Sequence, residues 1–211
     1  MSQPLNFANR DATQPEFWDE RFVAQFIPWD QGAAPVDMQR YFKLLIPIAH
    51  TQCLIPGCGN SYEAAYLSEL GWDVVAIDFS PAAVASARAN NPRWADRIML
   101  ADFFSYTPAK PLQCIYERAF LCALPPKLRA KVVARWAELL PADGLLLGYF
   151  FIESESAKKG PPFAITSREL TDLLSPYFEC IEDNPVTDSI AVFENRERWQ
   201  VWRKRILTSI T

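Results

Sequence analysis

The chain has 211 residues, half of them apolar, with 21 Lys and Arg against 25 Asp and Glu, a net charge of −4 and five cysteines. That is the size of one domain with an ordinary core. It carries no basic run of the kind a nucleic-acid surface needs, no apolar stretch of bilayer length, and no apolar signal core in its opening MSQPLNFANRDATQPEFW. Cys53, Cys58, Cys114, Cys122 and Cys180 lack paired metal spacing and read as reduced thiols in a cytoplasmic protein. With His50 as the one histidine, no histidine-based metal site is expected, and His50 reads as a residue that caps or precedes the first strand.

In chain order, residues 1–15 read as polar and loosely held. Residues 16–22 (EFWDERF) predict a helix with Phe17, Trp18, Arg21 and Phe22 on one face. Residues 26–32 (FIPWDQG) predict a loop. Val36 to Ile48 predicts a second helix, with Val36, Met38, Tyr41, Leu44 and Leu45 as its stripe. The first 48 residues are thus an N-terminal helical segment placed as a lid on a single domain, 1–211.

The next stretch is the most informative. Cys53-Leu54-Ile55 has the length of a buried strand and stops at Pro56-Gly57-Cys58-Gly59. A helical pattern follows on Tyr62, Ala65, Tyr66 and Leu70, closed by Gly71. Val74 to Ile77 then forms a strand that ends at Asp78. Strand, glycine turn, helix, strand and terminal acid make one βαβ unit. Gly57 and Gly59 permit a sharp turn and a close backbone approach. Asp78, about twenty residues on, stands where a carboxylate accepts both hydroxyls of a ribose. The plain alternative is a tight strand–helix turn with an incidental acid. A dinucleotide site prefers Gly or Ala at the third fingerprint position, where this chain has Tyr62, and no P-loop is present. A nucleoside cofactor without phosphates fits better, S-adenosylmethionine above all.

Ser80 and Pro81 predict an N-cap and first position for a helix that continues over 82–89. Residues 97–100 predict a third strand that ends at Ala101-Asp102-Phe103-Phe104. An acid beside an aromatic at a strand end suits adenine, the carboxylate accepting the exocyclic amine; the alternative is a turn cap followed by two core phenylalanines. Residues 112–116 predict a fourth strand that leads into Glu117 and Arg118. Arg118 is placed to orient an anionic nucleophile or the cofactor's polar groups, or else forms a surface pair with Glu117; a role for Glu117 as a base stays open. Lys127 to Leu140 predicts a helix buried along Val132, Val133, Trp136, Leu139 and Leu140. Residues 141–144 predict a turn, 145–151 a buried strand, 154–163 a loop, 167–174 a helix capped by Ser167, and 178–181 and 199–206 the last two strands. The alternation of strands and helices specifies an α/β three-layer sandwich, Rossmann-like, with a mostly parallel sheet.

The segments FWDERF, PWDQG, LIPGCG, AIDFSP, ADFF, YERAFLCALPP, GPPF and ERWQVW together resemble the thiopurine S-methyltransferase family, which includes plant thiol and halide methyltransferases and many bacterial members. The likeness spans nearly the whole chain. It implies a class I fold with a seven-stranded sheet and an antiparallel C-terminal hairpin, S-adenosylmethionine as cofactor and S-adenosylhomocysteine as product. It further implies that Trp18, Phe22 and Trp29 line the cofactor site, with Phe22 departing from the commoner Trp, and that Arg118 belongs to the active site, where plant relatives carry Tyr. Aromatic faces attract a sulfonium cation, so Trp29 is expected beside the reactive methyl. The expected site is then Arg118 and Trp29 for catalysis, and Trp18, Phe22, Trp29, Gly57, Gly59, Asp78, Asp102, Phe103 and Arg118 for the cofactor. The loop over 154–163 is expected on the substrate side, with Pro161, Pro162 and Phe163 closing it. The implied acceptor is a small soft nucleophile: a thiol, a thiopurine-like thiol, thiocyanate, a halide, or a selenium or tellurium species. The reaction is in-line displacement without a strong base. Other readings are an O- or N-methyltransferase, an NAD(P)-dependent oxidoreductase, and a non-catalytic module of the same fold. The partner is a small molecule; the oligomeric state is open, and a monomer is compatible with it.

Overall fold

The computed structural model describes residues 6–206. Its centre is a seven-stranded sheet in the order β3-β2-β1-β4-β5-β7-β6. The strands are β1 (Gln52–Pro56), β2 (Val74–Asp78), β3 (Ile98–Leu100), β4 (Leu112–Arg118), β5 (Leu145–Phe151), β6 (Phe178–Pro185) and β7 (Glu197–Lys204). The first five pair in parallel, and β7 runs antiparallel between β5 and β6. The last two strands thus form the expected hairpin, with β6 extended to Pro185 and β7 shifted two residues toward the connecting loop, ending at Lys204 and not at Ile206.

Alternate residues of the central strands feed two separate cores. Leu54, Ile115 and Leu146 pack with Val132, Trp136, Leu170 and Leu174 of α5 (Arg129–Leu139) and α6 (Ser167–Leu174). Cys53, Ile55, Cys114 and Tyr116 face α2 (Val36–Phe42), α3 (Tyr62–Glu69) and α4 (Pro81–Asn90) through Met38, Phe42, Ala64, Leu67, Val84 and Ala87. Period-two alternation on the strands therefore gives three layers. Helix α1 (Pro15–Val23) lies against α4. Among the described residues no helix is long and apolar enough to cross a membrane.

Several elements depart from the sequence expectation. Helix α2 stops at Phe42, not near Ile48, and buries Asp37, Met38 and Phe42. Val36 and Leu44, placed on its stripe, are exposed, as is Ile46. Pro47 disfavours helical geometry at the residue before it, and the chain instead crosses to β4, where Ile48 N donates to Gln113 Oε1 (2.7 Å). Helix α3 buries Ala64, Leu67 and Ser68, not the Tyr62–Leu70 face, because small side chains allow close approach to the sheet. Helix α6 is capped by Thr166, whose Oγ1 accepts from Glu169 N (3.1 Å), and not by Ser167. The segment before α1 is not loose from Asn9 on: Asn9 donates to Glu20 through both backbone and side chain, and Trp18 Nε1 donates to Ala12 O (2.9 Å). Ser80 caps α4 as expected, accepting from Ala83 N.

Two contacts at the end of β4 fix the sheet beside the glycine turn. Gly148 in β5 has a φ of 149°, and a Cβ there would lie 1.7 Å from Glu117 O. Glu117 is 1% exposed; its Oε1 accepts from Phe120 N (3.1 Å) and Leu121 N (2.9 Å), which pins the loop that leaves β4. Burial pushes its carboxyl up to about 8, against the pull of those amides.

Gly148→Ala is expected to cost at least ~3 kcal/mol, since no rotamer relieves a backbone overlap; urea unfolding or loss of soluble expression reads this out. Glu117 also sets a pH slope. The unfolded chain releases its proton near the ordinary value of about 4.3, while the folded protein keeps it to about 8. Across that window the native state binds the extra proton, so stability falls as pH rises. Asp78, raised to about 6 chiefly by burial, adds to the slope at its lower end. Denaturation midpoints should fall from pH 5 to pH 8, and Glu117→Gln, which keeps an acceptor oxygen for both amides, should flatten that fall.

Candidate active site

The strand order reverses between β1 and β4, the point at which open α/β sheets leave a crevice at their carboxyl ends. A cavity of about 630 Å³ opens there, within the range of about 300–1,000 Å³ for small-ligand sites. All nine residues expected at the cofactor site line it: Trp18, Phe22, Trp29, Gly57, Gly59, Asp78, Asp102, Phe103 and Arg118.

One wall is the glycine turn. Gly57 and Gly59 both have positive φ (60° and 50°), which favours glycine. A Cβ on Gly57 would meet Phe120 Cδ2 at 2.6 Å, so there the missing side chain makes room for a protein ring; at Gly59 the nearest atom is Phe22 Cζ at 3.7 Å. Asp78 at the end of β2 is buried and accepts from Gly59 N (3.1 Å) and Ser80 N (3.0 Å), one bond per oxygen. Each oxygen keeps lone-pair capacity for a further donor. Burial raises this carboxyl to about 6, with the amides of Ser80 and Gly59 holding it lower than burial alone would.

The N-terminal segment forms the opposite wall. Asp19 of α1 accepts from Ser80 Oγ (2.5 Å) and Ala82 N (2.9 Å) at the start of α4. Asp30 accepts from Asn60 Nδ2, and Asn60 Oδ1 in turn accepts from Ser86 Oγ (2.6 Å). These bonds hold Trp18, Phe22 and Trp29 over the glycine turn, with ring centroids 5.5 Å (Trp18–Trp29) and 6.4 Å (Phe22–Trp29) apart, edge to face. The aromatic wall is thus packed within itself as well as open to the cavity.

Asp102 is exposed, and its Oδ1 accepts from Phe104 N (2.9 Å), so it caps the turn after β3 while still lining the cavity. Phe103 is buried and meets Phe120 edge to face at 5.0 Å. Arg118 lies over the Tyr149 ring (4.4 Å) and its Nη2 donates to Gln31 Oε1 (2.9 Å), so it is not paired with Glu117. Gln31 Nε2 donates to Asp188 O (2.6 Å), which ties the segment before α2 to the β6–β7 connection. Glu117 points to the other face of β4 and does not line the cavity, so it is not placed to act as a base.

Several lining groups were not singled out from sequence: Glu63, Tyr116, Phe120, and Val192 with Phe193 from the β6–β7 connection. An acid in the first turn of a helix is ordinary, so nothing local in the sequence marks Glu63, and nothing marks Phe193. Pro161 and Pro162 line the cavity, whereas Phe163 is buried beneath it, donating from its N to Cys122 O (2.7 Å). Arg129, itself 2% exposed, donates to the carbonyls of Phe163 (3.0 Å) and Ala164 (2.7 Å) and to Glu169 (2.8 Å), and so anchors this loop.

The chain is similar to a thiopurine S-methyltransferase of Shewanella loihica, 29% identical over 184 residues that cover 79% of this chain and 84% of the relative. It is also similar to thiocyanate methyltransferase 1 of Brassica oleracea, 27% identical over 195 residues, 89% and 84% of the two chains. In fold it resembles the Burkholderia thailandensis 1,6-didemethyltoxoflavin-N1-methyltransferase, solved with bound 1,6-didemethyltoxoflavin and S-adenosylhomocysteine, with a TM-score of 0.74 at 18% identity, over 98% of this chain and 94% of that one. The family model described as thiopurine S-methyltransferase matches residues 13–205, and the chain accordingly belongs to the thiopurine S-methyltransferase family, a family of methyltransferases.

Proposed function

We propose that this protein transfers the methyl group of S-adenosylmethionine to a small soft nucleophile: a thiol, thiocyanate, a halide, or a selenium or tellurium species. The observation that carries the reading is the Asp78 carboxylate, already fixed by two backbone amides and still able to accept from two ribose hydroxyls at the edge of the glycine turn. Asp102 keeps one oxygen clear of its turn bond for the adenine amine. Trp18, Phe22 and Trp29 line the cavity, and the π face of such a ring attracts a sulfonium cation.

The cofactor supplies an activated methyl group. The residues of this chain supply alignment and dryness. Trp29, Pro161, Pro162 and Phe193 wall the acceptor end and exclude water. Arg118 holds a positive charge there, toward the anionic groups that enter. Its guanidinium stays charged: burial opposes the charge most, but arginine holds its proton far above neutral pH, and the nearby Glu63 and Glu197 favour the charged form. A thiolate or halide needs no general base, which agrees with Glu117 lying outside the cavity. The described part of the N-terminal segment, residues 6–48, acts as the lid through Asp19, Asp30 and Gln31; residues 1–5 lie outside the described residues.

A dinucleotide oxidoreductase is the weaker reading, since the start of α3, where such folds hold a pyrophosphate, presents the Glu63 carboxylate to the cavity.

Isothermal titration of the full chain with S-adenosylhomocysteine, and turnover with labelled S-adenosylmethionine over thiocyanate, iodide and small thiols, test this reading. Binding and methylation of at least one soft acceptor are expected; an absence of cofactor binding overturns it. Asp78→Asn should weaken S-adenosylhomocysteine at least tenfold, about 1.4 kcal/mol. Wild-type affinity should also fall as pH drops below about 6, where Asp78 takes up its proton, and the Asn variant should not show that fall.

A further inference from the structure

Four polar groups lining the cavity lack a side-chain partner among the described residues. Ser61 Oγ, Tyr116 Oη and Arg118 Nη1 are buried without a hydrogen bond. The fourth is Glu63. The other acids of the cavity wall are engaged, Asp30 with Asn60, Asp78 with Gly59 and Ser80, and Asp102 with Phe104, but the Glu63 carboxylate meets only its own backbone N–H. Burial raises its carboxyl, and Arg118 pulls the other way. Arg118 and Glu63 influence one another's charge without forming a bridge: the guanidinium is turned to Gln31 and the Tyr149 ring.

A buried polar group left without a partner costs about 1–3 kcal/mol, more when charged. An oppositely charged pair held close but apart is poorly arranged for its own stability. It is well arranged for a ligand that carries both charges. Glu63 is four residues beyond Gly59 and one turn of chain from Asp78's partner amide, so a ligand whose sugar rests on Asp78 leads its other end past the glycine turn toward Glu63.

We infer that Glu63 receives a primary ammonium group, the α-ammonium of the amino-acid tail of the cofactor, with the tail's carboxylate on the Arg118 side and the Tyr116 hydroxyl as a further partner. The site thus binds a zwitterion at one end and a nucleoside at the other. This assignment rests on the reading of the cofactor given above, and it makes Glu63 a binding residue and not a base.

Titration calorimetry on the full chain separates the two. S-adenosylhomocysteine carries the zwitterionic tail; 5′-methylthioadenosine has the same nucleoside and no tail. Glu63→Gln, which keeps size and removes charge, should weaken S-adenosylhomocysteine at least tenfold and leave 5′-methylthioadenosine within twofold. On wild-type protein, an S-adenosylhomocysteine analogue without its α-amino group should show the same tenfold loss, so the assignment is tested even where the variant fails to fold. Equal weakening of both ligands by Glu63→Gln, or an analogue that binds as well as the parent, overturns the role of Glu63 and leaves the nucleoside site standing. Wild-type protein that binds neither ligand overturns the cofactor reading and this assignment with it.

Discussion

The Asp78 carboxylate joins three parts of the chain that are distant in sequence. It takes the Gly59 amide on one oxygen and the Ser80 amide on the other, which sets the glycine turn against the start of α4. Ser80 passes the connection on: its hydroxyl caps α4 and donates to Asp19, and Asp19 fastens α1 across the top of the sheet. The aromatic wall therefore depends on an acid that does not touch it. Hydrogen bonds to charged groups contribute more than neutral ones, about 1.5–3 kcal/mol each, and here they offset the burial that raises the Asp78 carboxyl to about 6. The same acid is structurally engaged and chemically unsatisfied, since two amides use half of its acceptor capacity.

The opposite side of the cavity shows the reverse balance. Around Arg118 the protein leaves Tyr116 Oη and an arginine nitrogen without partners, and stacks the guanidinium on Tyr149. Tyr149 is itself fixed by Met38 N and Asp188, so the arginine is positioned by packing from behind while its front stays open. Ala119, directly after it, has a φ of 57°, a conformation that costs a non-glycine residue roughly 1 kcal/mol. Glu117 holds that turn by its two amide bonds on the far face of the strand. Adjacent residues on β4 thus divide the work, one pinning the loop from the core and the next facing the cavity, as period-two alternation requires.

Much of this was legible from local pattern. The βαβ unit, the terminal acids and the parallel sheet follow from spacing that any backbone must obey, and the strands from β1 to β5 lie where the apolar runs put them. The hairpin order, with β7 between β5 and β6, needed the family likeness, because pairing of distant strands is not encoded in either strand alone. The stripe of α3 was misread because its two tyrosines outweigh Ala64 in any hydrophobic count, while close packing on a sheet selects the smaller side chain. The extent of α2 was misread because leucine and isoleucine sustain a helical pattern up to Pro47, beyond the last turn that has anything to pack against. Glu63 and Phe193 escaped for different reasons. The acid looks like an ordinary favourable charge in the first turn of a helix, and only the cavity reveals that it lacks a partner. Phe193 reaches the site through a connection between the last two strands, a purely tertiary event.

That last point bears on what selects the acceptor. On the proposed reading the cofactor half of the cavity is built from strand ends and the glycine turn, which the sheet holds. On the same reading the acceptor half comes from three connections, 119–124, 160–163 and 186–196, each tied down by polar anchors: buried Glu117 for the first, buried Arg129 for the second, and half-buried Asp188 with Asp37 for the third. Anchors of this kind fix where a loop begins and leave its tip to vary in length and side chain. Trp29 meets the acceptor half from the lid, and Gln31 beside it bridges Arg118 to Asp188 O. On that reading one glutamine links the acceptor wall to the lid: a change in the 186–196 connection would shift that wall and also the hydrogen bond between Gln31 and Arg118.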